Sequence, residues 1–185
     1  VDNFGANLQA LSTVSFFKNR GDEALVIDWY PQELATIYAK KISLEQRDAH
    51  AQFVKERLPL TRHCETSDDV KRVVEEEKFD LVVIGSDAVF SYMPFLMRVH
   101  PSRKTLIGIR YVTPDHRLPN PFWADFVSKK TNIKIASLSA SAQFLDVDKC
   151  LPWNKEKLRK QLKNFDLLTV RDRWKKRVIS KKKKK

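Results

Sequence analysis

Apolar residues recur along this chain at two spacings, one typical of helices and one typical of buried strands. One stripe at helical spacing consists of Leu8, Leu11, Val14 and Phe17. It predicts a helix over residues 6–18, and Gly21 is suited to end that helix because glycine tolerates the backbone that follows a helix. Further helices are predicted over residues 43–58, 67–78 and 154–163.

Two of these helices carry specific start signals. Ser43 and Gln46 have the spacing of a capping box, in which each side chain bonds to the other residue's backbone. Asp68 and Asp69 fall in the first turn of the next helix, where the helix dipole favours negative charge. Both signals support the predicted helix starts.

Short apolar runs lie between the helices. The strands that they predict cover residues 24–30, 79–84, 133–138 and 167–170. The run at 79–84 is apolar on both faces, which is typical of a central parallel strand. Residues 91–121 are rich in proline and less regular, and we expect one short strand there, over residues 106–112.

Strands that alternate with helices predict an α/β fold, with a Rossmann-like, doubly wound, mostly parallel sheet covered on both faces. The length of 185 residues suits one such domain, which we expect to span residues 1–180. Because the chain opens at Val1 in a loop-like stretch, we expect the first strand of the fold to lie upstream.

The cysteine content favours a reducing compartment. Cys64 and Cys150 lack the close spacing of zinc or redox motifs. We expect two buried thiols, no disulfide, no metal site and a cytoplasmic location. No apolar run approaches the ~18 residues that a membrane helix needs.

The formal charge of +12 raises the question of a nucleic-acid partner. Five of these charges belong to the terminal run of residues 181–185, which we expect to be a disordered tail, and +7 remains for the body. No motif that reads DNA or RNA accompanies the charge. A moderately basic body suits anionic substrates or peripheral contact with an anionic membrane, and we expect no specific nucleic acid. The sequence does not indicate an oligomeric state.

Ligands of parallel sheets gather outside the carboxyl ends of the strands, and polar clusters are predicted at these positions. Asn3 and Gly5 open the first helix, where free backbone N–H groups favour an anion. Gly85, Ser86 and Asp87 directly follow the run at 79–84 and offer space, a hydroxyl and a carboxylate. A structural turn at Gly5 and a helix cap at Asp87 are the competing interpretations.

Two more clusters follow later strands. Ser141 closes a serine-rich turn, although serines there commonly satisfy only the turn's own backbone. Arg171 ends the run at 167–170, and its guanidinium can clamp a carboxylate or phosphate with two parallel hydrogen bonds. The competing interpretation of Arg171 is a salt bridge to Asp166 or Asp172.

These clusters resemble, in order, the motifs of the polysaccharide pyruvyl transferase family. The matching stretches are residues 3–10 (NFGANLQA), 84–90 (IGSDAVF), 125–126 (DF), 134–141 (KIASLSAS) and 165–172 (FDLLTVRD). The chain departs from the family pattern at Ala88, Phe90, Leu138 and Gln143, where the family usually has glutamine, tryptophan, tyrosine and glycine. The resemblance spans the chain up to the terminal lysines.

The resemblance implies a two-domain architecture like that of the GT-B glycosyltransferases, with this chain as the amino-terminal half. It implies transfer of pyruvate from phosphoenolpyruvate to paired hydroxyls of a saccharide or lipid-linked saccharide, as a ketal, in cell-surface polysaccharide synthesis. It places Arg171 near the phosphoenolpyruvate anion and requires no other cofactor and no metal. His50, His63, His100 and His116 do not follow predicted strands, so we expect the general acid in a second domain and no turnover by this fragment alone.

Two other functions stay open at this point. A nucleotide-sugar glycosyltransferase can share the same architecture, since function lies in the site and not in the fold. A non-catalytic basic binding module is the alternative from a different class.

Overall fold

In the computed structural model, the described residues are 3–85, 88–102, 106–127, 132–142, 145 and 149–171. Ser86, Asp87, Gln143, Asp172 and the terminal lysines therefore lie outside them. The chain divides into two compact units, Val1–Lys78 and Phe79–Lys185. The single domain expected over residues 1–180 stays a prediction.

The first unit carries helices α1 (Phe4–Lys18), α2 (Gln32–Tyr38), α3 (Leu44–Arg57) and α4 (Ser67–Glu77). Three of them, α1, α3 and α4, confirm predicted helices. The Ser43 hydroxyl caps α3 by accepting from the backbone N–H of Gln46 at 3.2 Å. At α4 the capping box is formed by Thr66 and Asp69. Helix α2 was not predicted because its seven residues are too few to show a stripe.

The strand predicted over residues 24–30 is wrong as a continuous strand. Only Val26 and Trp29 form parallel bridges, to Leu60 and Cys64 respectively. The backbone N–H of Trp29 bonds to the carbonyl of Ile27 at 2.9 Å, which is a tight turn. That turn interrupts the extended run, so the segment pairs at two points instead of along its length.

The second unit contains a parallel sheet of strands β1 (Leu81–Gly85), β4 (Lys134–Ala140) and β5 (Leu167–Val170), in the order β1-β4-β5. Helix α6 (Pro152–Leu162) connects β4 to β5. These elements confirm the α/β class, the parallel pairing and the predicted helix over 154–163 with small shifts at its ends.

The strand order and the burial of β1 differ from what the run at 79–84 predicts. Among the described residues β4 lies between β1 and β5, and the central position predicted for the run at 79–84 is not found there. Val82, Ile84 and Ile135 are buried on one face of the sheet, whereas Leu81 is exposed. An unbroken apolar run does not reveal which of its residues are buried and which are exposed, because both faces of the strand are apolar in sequence.

Residues 91–121 hold more regular structure than predicted. Helix α5 (Phe95–Arg98) leads into β2 (Val99–Ser102), which pairs antiparallel with β3 (Leu106–Ile109). The strand predicted over 106–112 is therefore present but shorter. Strand β2 was missed because it contains a proline, which sequence rules associate with turns and strand edges.

An aromatic cluster forms part of the core of the second unit. The rings of Trp123 and Phe165 lie 5.2 and 5.5 Å from the ring of Phe90, measured between centroids. Phe90 and Trp123 are buried. Cys64 and Cys150 are both buried, as predicted. Within the described parts of the chain, no helix combines the length and the apolar character needed to cross a membrane.

Candidate functional site

Three of the predicted site residues lie at one edge of the parallel sheet. Gly85 is the last residue of β1, Ser141 follows the last residue of β4, and Arg171 follows the last residue of β5. Because the three strands are parallel, their carboxyl ends share one edge. We refer to Gly85, Ser141 and Arg171 together as the sheet-edge site.

Gly85 is required by close packing of the two neighbouring strands. It pairs with Leu138 of β4. A side chain at Gly85 would overlap the carbonyl oxygen of Leu138 and lie 3.0 Å from the Leu138 Cβ. The glycine therefore has a structural reason to be present, which is that β1 approaches β4 without space for a Cβ.

Arg171 is held at the sheet edge by two hydrogen bonds. Its backbone N–H donates to the carbonyl of Ala140 at 3.0 Å, and its Nη2 donates to the Ser141 hydroxyl at 3.2 Å. The Ser141 carbonyl accepts from the backbone N–H of Phe90, also at 3.0 Å. Ser141 is buried, whereas Arg171 is exposed. Ser141 therefore links the loop after β1 to an arginine whose remaining N–H groups can meet a ligand.

The salt bridge considered between Arg171 and Asp166 is not formed. The Asp166 carboxylate accepts instead from the backbone N–H of Ile135 at 2.9 Å and from the Lys134 ammonium at 3.1 Å. The bond from Ile135, followed by the one from Lys134, holds the pKa of the Asp166 carboxyl below its ordinary value. Across the described residues, no carboxylate lies within ion-pair distance of Arg171. The other candidate partner, Asp172, lies outside them.

Asn3 and Gly5 belong to the first unit, at the start of α1. The Asn3 side chain accepts from the backbone N–H groups of Gly5 at 2.9 Å and Ala6 at 3.4 Å. Asn3 is thus the N-cap of α1. Its side chain accepts from backbone N–H groups that were expected to be available to an anion. The association of Asn3 and Gly5 with the sheet-edge site stays a prediction.

A histidine that sequence analysis did not connect with α1 lies against its opening turn. The ring of His50, in α3, packs on the ring of Phe4, with centroids 3.9 Å apart. Its Nδ1 lies 3.4 Å from the side-chain amide nitrogen (Nδ2) of Asn7. His50 is only 2 % exposed, and its Nε2 has no hydrogen-bond partner among the described residues. No sequence signal links residues 43 positions apart, so this contact required the tertiary structure.

A second histidine joins two segments of the first unit. His63 Nδ1 lies 2.9 Å from a carboxylate oxygen of Asp28, and its Nε2 lies 3.3 Å from one of Glu65. The bond to Asp28 is the largest cause that raises the pKa of His63 above its ordinary value, and Glu65 adds to it. Asp28 and His63 precede the bridged residues Trp29 and Cys64, so the imidazole reinforces that irregular pairing.

Ser86 and Asp87, the remaining predicted site residues, lie outside the described residues. The described residues contain no group of three or more His, Cys, Asp or Glu side chains arranged to hold a metal ion. The arrangement that the structure provides is therefore an exposed guanidinium beside a buried serine, at the edge where parallel sheets bind ligands.

Comparison with known proteins identifies the family. The family model described as polysaccharide pyruvyl transferase matches residues 3–185, which include all of the motifs above and nearly the whole chain. No curated protein and no solved structure matches the chain. By the extent of the family match, the chain belongs to the polysaccharide pyruvyl transferase family, a family of transferases in polysaccharide biosynthesis.

Proposed function

We propose that the sheet-edge site binds phosphoenolpyruvate as the donor of a pyruvyl group for a saccharide acceptor. The observation that carries the proposal is the Arg171 guanidinium, which is exposed at the carboxyl edge and, within the described part of the chain, bonds to the neutral Ser141 hydroxyl and to no carboxylate. Because no carboxylate among the described residues offsets the guanidinium charge, the guanidinium is available to an anionic ligand. Phosphoenolpyruvate offers both a carboxylate and a phosphate to such a group.

The proposed reaction joins one donor to two hydroxyls of the same saccharide. A general acid protonates the methylene carbon of phosphoenolpyruvate, which makes the neighbouring carbon electrophilic. One hydroxyl oxygen adds to that carbon and loses its proton, and phosphate leaves with the electrons of its C–O bond. The second hydroxyl oxygen then adds to the same carbon and loses its proton to the phosphate, which closes the ketal. Arg171 would neutralise the anion while charge moves toward the phosphate.

The 185 residues are proposed to bind the donor without turning it over. The general acid and further arginine and histidine groups are proposed to lie in a second domain of a GT-B-like architecture, which the family resemblance implies. A saccharide or lipid-linked saccharide would be the acceptor. With a lipid-linked acceptor, the protein would contact the surface of an anionic membrane peripherally, from the cytoplasmic side.

Calorimetric titration of the chain with phosphoenolpyruvate tests the donor assignment. Phosphoenolpyruvate is expected to bind, with inorganic phosphate and pyruvate each binding more weakly because each offers only one of the two anionic groups. Uridine diphosphate is titrated in the same way, because a nucleotide-sugar glycosyltransferase would bind it in preference to phosphoenolpyruvate. Binding of uridine diphosphate in preference to phosphoenolpyruvate would contradict the proposal and favour that alternative.

A further inference from the structure

The ribbon formed by β2 and β3 exposes an apolar face. Val99 pairs with Ile109 and Pro101 with Ile107, so these four residues share one face of the ribbon. Ile107 is 63 % exposed and Ile109 is 59 % exposed. Tyr111, two residues beyond Ile109, is exposed to a similar extent. Exposed isoleucines side by side on a strand are unusual for a surface that meets only water.

The opposite face of the ribbon holds His100 paired with Gly108 and Ser102 paired with Leu106. The His100 ring lies across Gly108, where a Cβ would come within 2.5 Å of the imidazole. Arg98 donates through Nε to the carbonyl of Arg110 at 3.3 Å, and the Arg110 backbone N–H donates to the Arg98 carbonyl at 2.7 Å. The ribbon therefore carries two arginines at its base.

The base of the ribbon is anchored in the second unit. Tyr92, Met93 and Val112, which flank the ribbon and α5, are buried. The backbone N–H of Met93 donates to the carbonyl of His116 at 3.0 Å. Ile107 and Ile109 are thus exposed although the residues that flank the ribbon are well packed.

The charge of this segment indicates what the apolar face contacts. No acidic residue occurs from Ala88 to Pro114, whereas the same stretch contains Arg98, Arg103, Lys104 and Arg110. Arg103 and Lys104 lie outside the described residues, so the structural argument rests on Arg98 and Arg110. Two copies of the chain that met through this ribbon would bring these uncompensated cations together, which opposes self-association.

We propose that the β2–β3 ribbon, with the exposed Phe95 and Leu96 of α5, docks on an anionic lipid bilayer. The isoleucines and α5 side chains would enter the boundary between headgroups and acyl chains, and Arg98 and Arg110 would meet lipid phosphates at the level of the headgroups. Apolar side chains next to cations are what such an interface accommodates. Docking on lipid is argued independently of the proposed function. Only the purpose of docking, which is to bring the sheet-edge site to a lipid-linked acceptor, rests on that function.

Cosedimentation of the chain with vesicles tests the docking surface. The chain is expected to bind phosphatidylcholine vesicles that contain phosphatidylglycerol and to bind pure phosphatidylcholine far more weakly. The assay is repeated with Lys181–Lys185 replaced by glutamine, because a lysine run adsorbs on anionic lipid by itself. No binding to anionic vesicles in this glutamine background would overturn the proposal.

Ribbon variants separate the two kinds of contact. Ile107→Ser/Ile109→Ser is expected to weaken binding to anionic vesicles by at least about ten-fold, and Arg98→Gln/Arg110→Gln by about five-fold for each arginine. The matched controls are Phe16→Ser/Leu44→Ser, which removes exposed apolar residues of the first unit, and Arg20→Gln/Arg47→Gln. Circular dichroism and melting temperature establish that each variant is folded.

Two results would overturn the assignment of the ribbon. One is equal loss of vesicle binding in ribbon variants and controls. The other is a wild-type dimer that becomes monomeric in Ile107→Ser/Ile109→Ser, measured by light scattering, which would make the face an interface between copies. The vesicles contain neither phosphoenolpyruvate nor saccharide, so failure of the donor assignment leaves this result unaffected.

Discussion

The backbone at Gly85 lies so close to Leu138 that a side chain on Gly85 would overlap the Leu138 carbonyl oxygen. This contact joins the last residue of β1 to β4, directly before Ser86 and Asp87 in the sequence. The glycine of the Gly-Ser-Asp motif thus has a packing role, whether or not its neighbours bind a ligand.

Gly85→Ala is expected to lower the free energy of unfolding by about 1–3 kcal/mol, because the added methyl group meets backbone that cannot move aside cheaply. Urea unfolding measures the change. The control is Gly21→Asn, where an added Cβ meets no neighbouring atom. The φ of 90° strains any side chain there, but asparagine adopts positive φ more readily than most residues, so a smaller loss of stability is expected. Equal stability of Gly85→Ala and the wild type would contradict the close approach.

Arg171→Ala is expected to weaken phosphoenolpyruvate binding roughly ten- to a hundred-fold, the scale of a charge-assisted hydrogen bond of about 1.5–3 kcal/mol. Arg171→Lys is expected to lose nearly as much, since lysine keeps the charge but not the bidentate geometry. Calorimetric titration of both variants measures the effect.

Ser141→Ala is the matched control for Arg171, because it removes the hydroxyl that accepts from Nη2 and leaves the charge. It is expected to weaken phosphoenolpyruvate binding only a few-fold, since one neutral contact that orients the guanidinium is lost. A lower melting temperature of Arg171→Ala with unchanged affinity for phosphoenolpyruvate would instead assign Arg171 a structural role.

The His63–Asp28 contact predicts a pH dependence of stability. Folding raises the pKa of His63, so the folded state binds this proton more tightly than the unfolded state does. The stabilisation is complete below the unfolded pKa of about 6.5 and is lost as the pH rises through the higher folded pKa. His63→Gln is expected to remove this component from the pH profile of urea unfolding.

Nuclear magnetic resonance titration of the His63 imidazole measures the pKa directly. Asp28→Asn, which keeps a hydrogen-bond acceptor but removes the charge, is expected to shift the pKa of His63 downward. An identical titration of His63 in the wild type and in Asp28→Asn would show that the two side chains are not paired in solution.

The lowered pKa of Asp166 predicts a pH dependence of stability with the opposite sign. Its pKa is depressed on folding, so its contribution is present above the unfolded pKa and is lost as the pH falls through the folded pKa. Asp166→Asn is expected to flatten the acid limb of the stability profile between these two values. Lys134→Gln, which removes the second partner in the same contact, is expected to reproduce part of the change. An unchanged acid limb in both variants would contradict the assignment.

Helices α1, α3, α4 and α6 and the strands of the parallel sheet could be predicted because they depend on local patterns. The stripe that contains Leu8 and Val14 and the cap at Ser43 act within a few residues of chain, and α1 and α3 formed where these signals placed them. The parallel pairing of β1, β4 and β5 was predicted from the alternation of strands and helices, since parallel neighbours need a long crossover connection such as α6 between β4 and β5. This rule also placed Gly85, Ser141 and Arg171 at one edge of the sheet.

The partners of individual side chains depended on tertiary structure. From the sequence alone, Asp166 and Asp172 were both candidate salt-bridge partners of Arg171. In the fold, the Asp166 carboxylate accepts hydrogen bonds from Ile135 and Lys134 instead. Likewise the free N–H groups expected at α1 are capped by Asn3, and His50 meets Asn7 from a different helix. Periodicity determines which face a residue occupies, whereas hydrogen-bond partners depend on distances between segments far apart in the chain, which only packing sets.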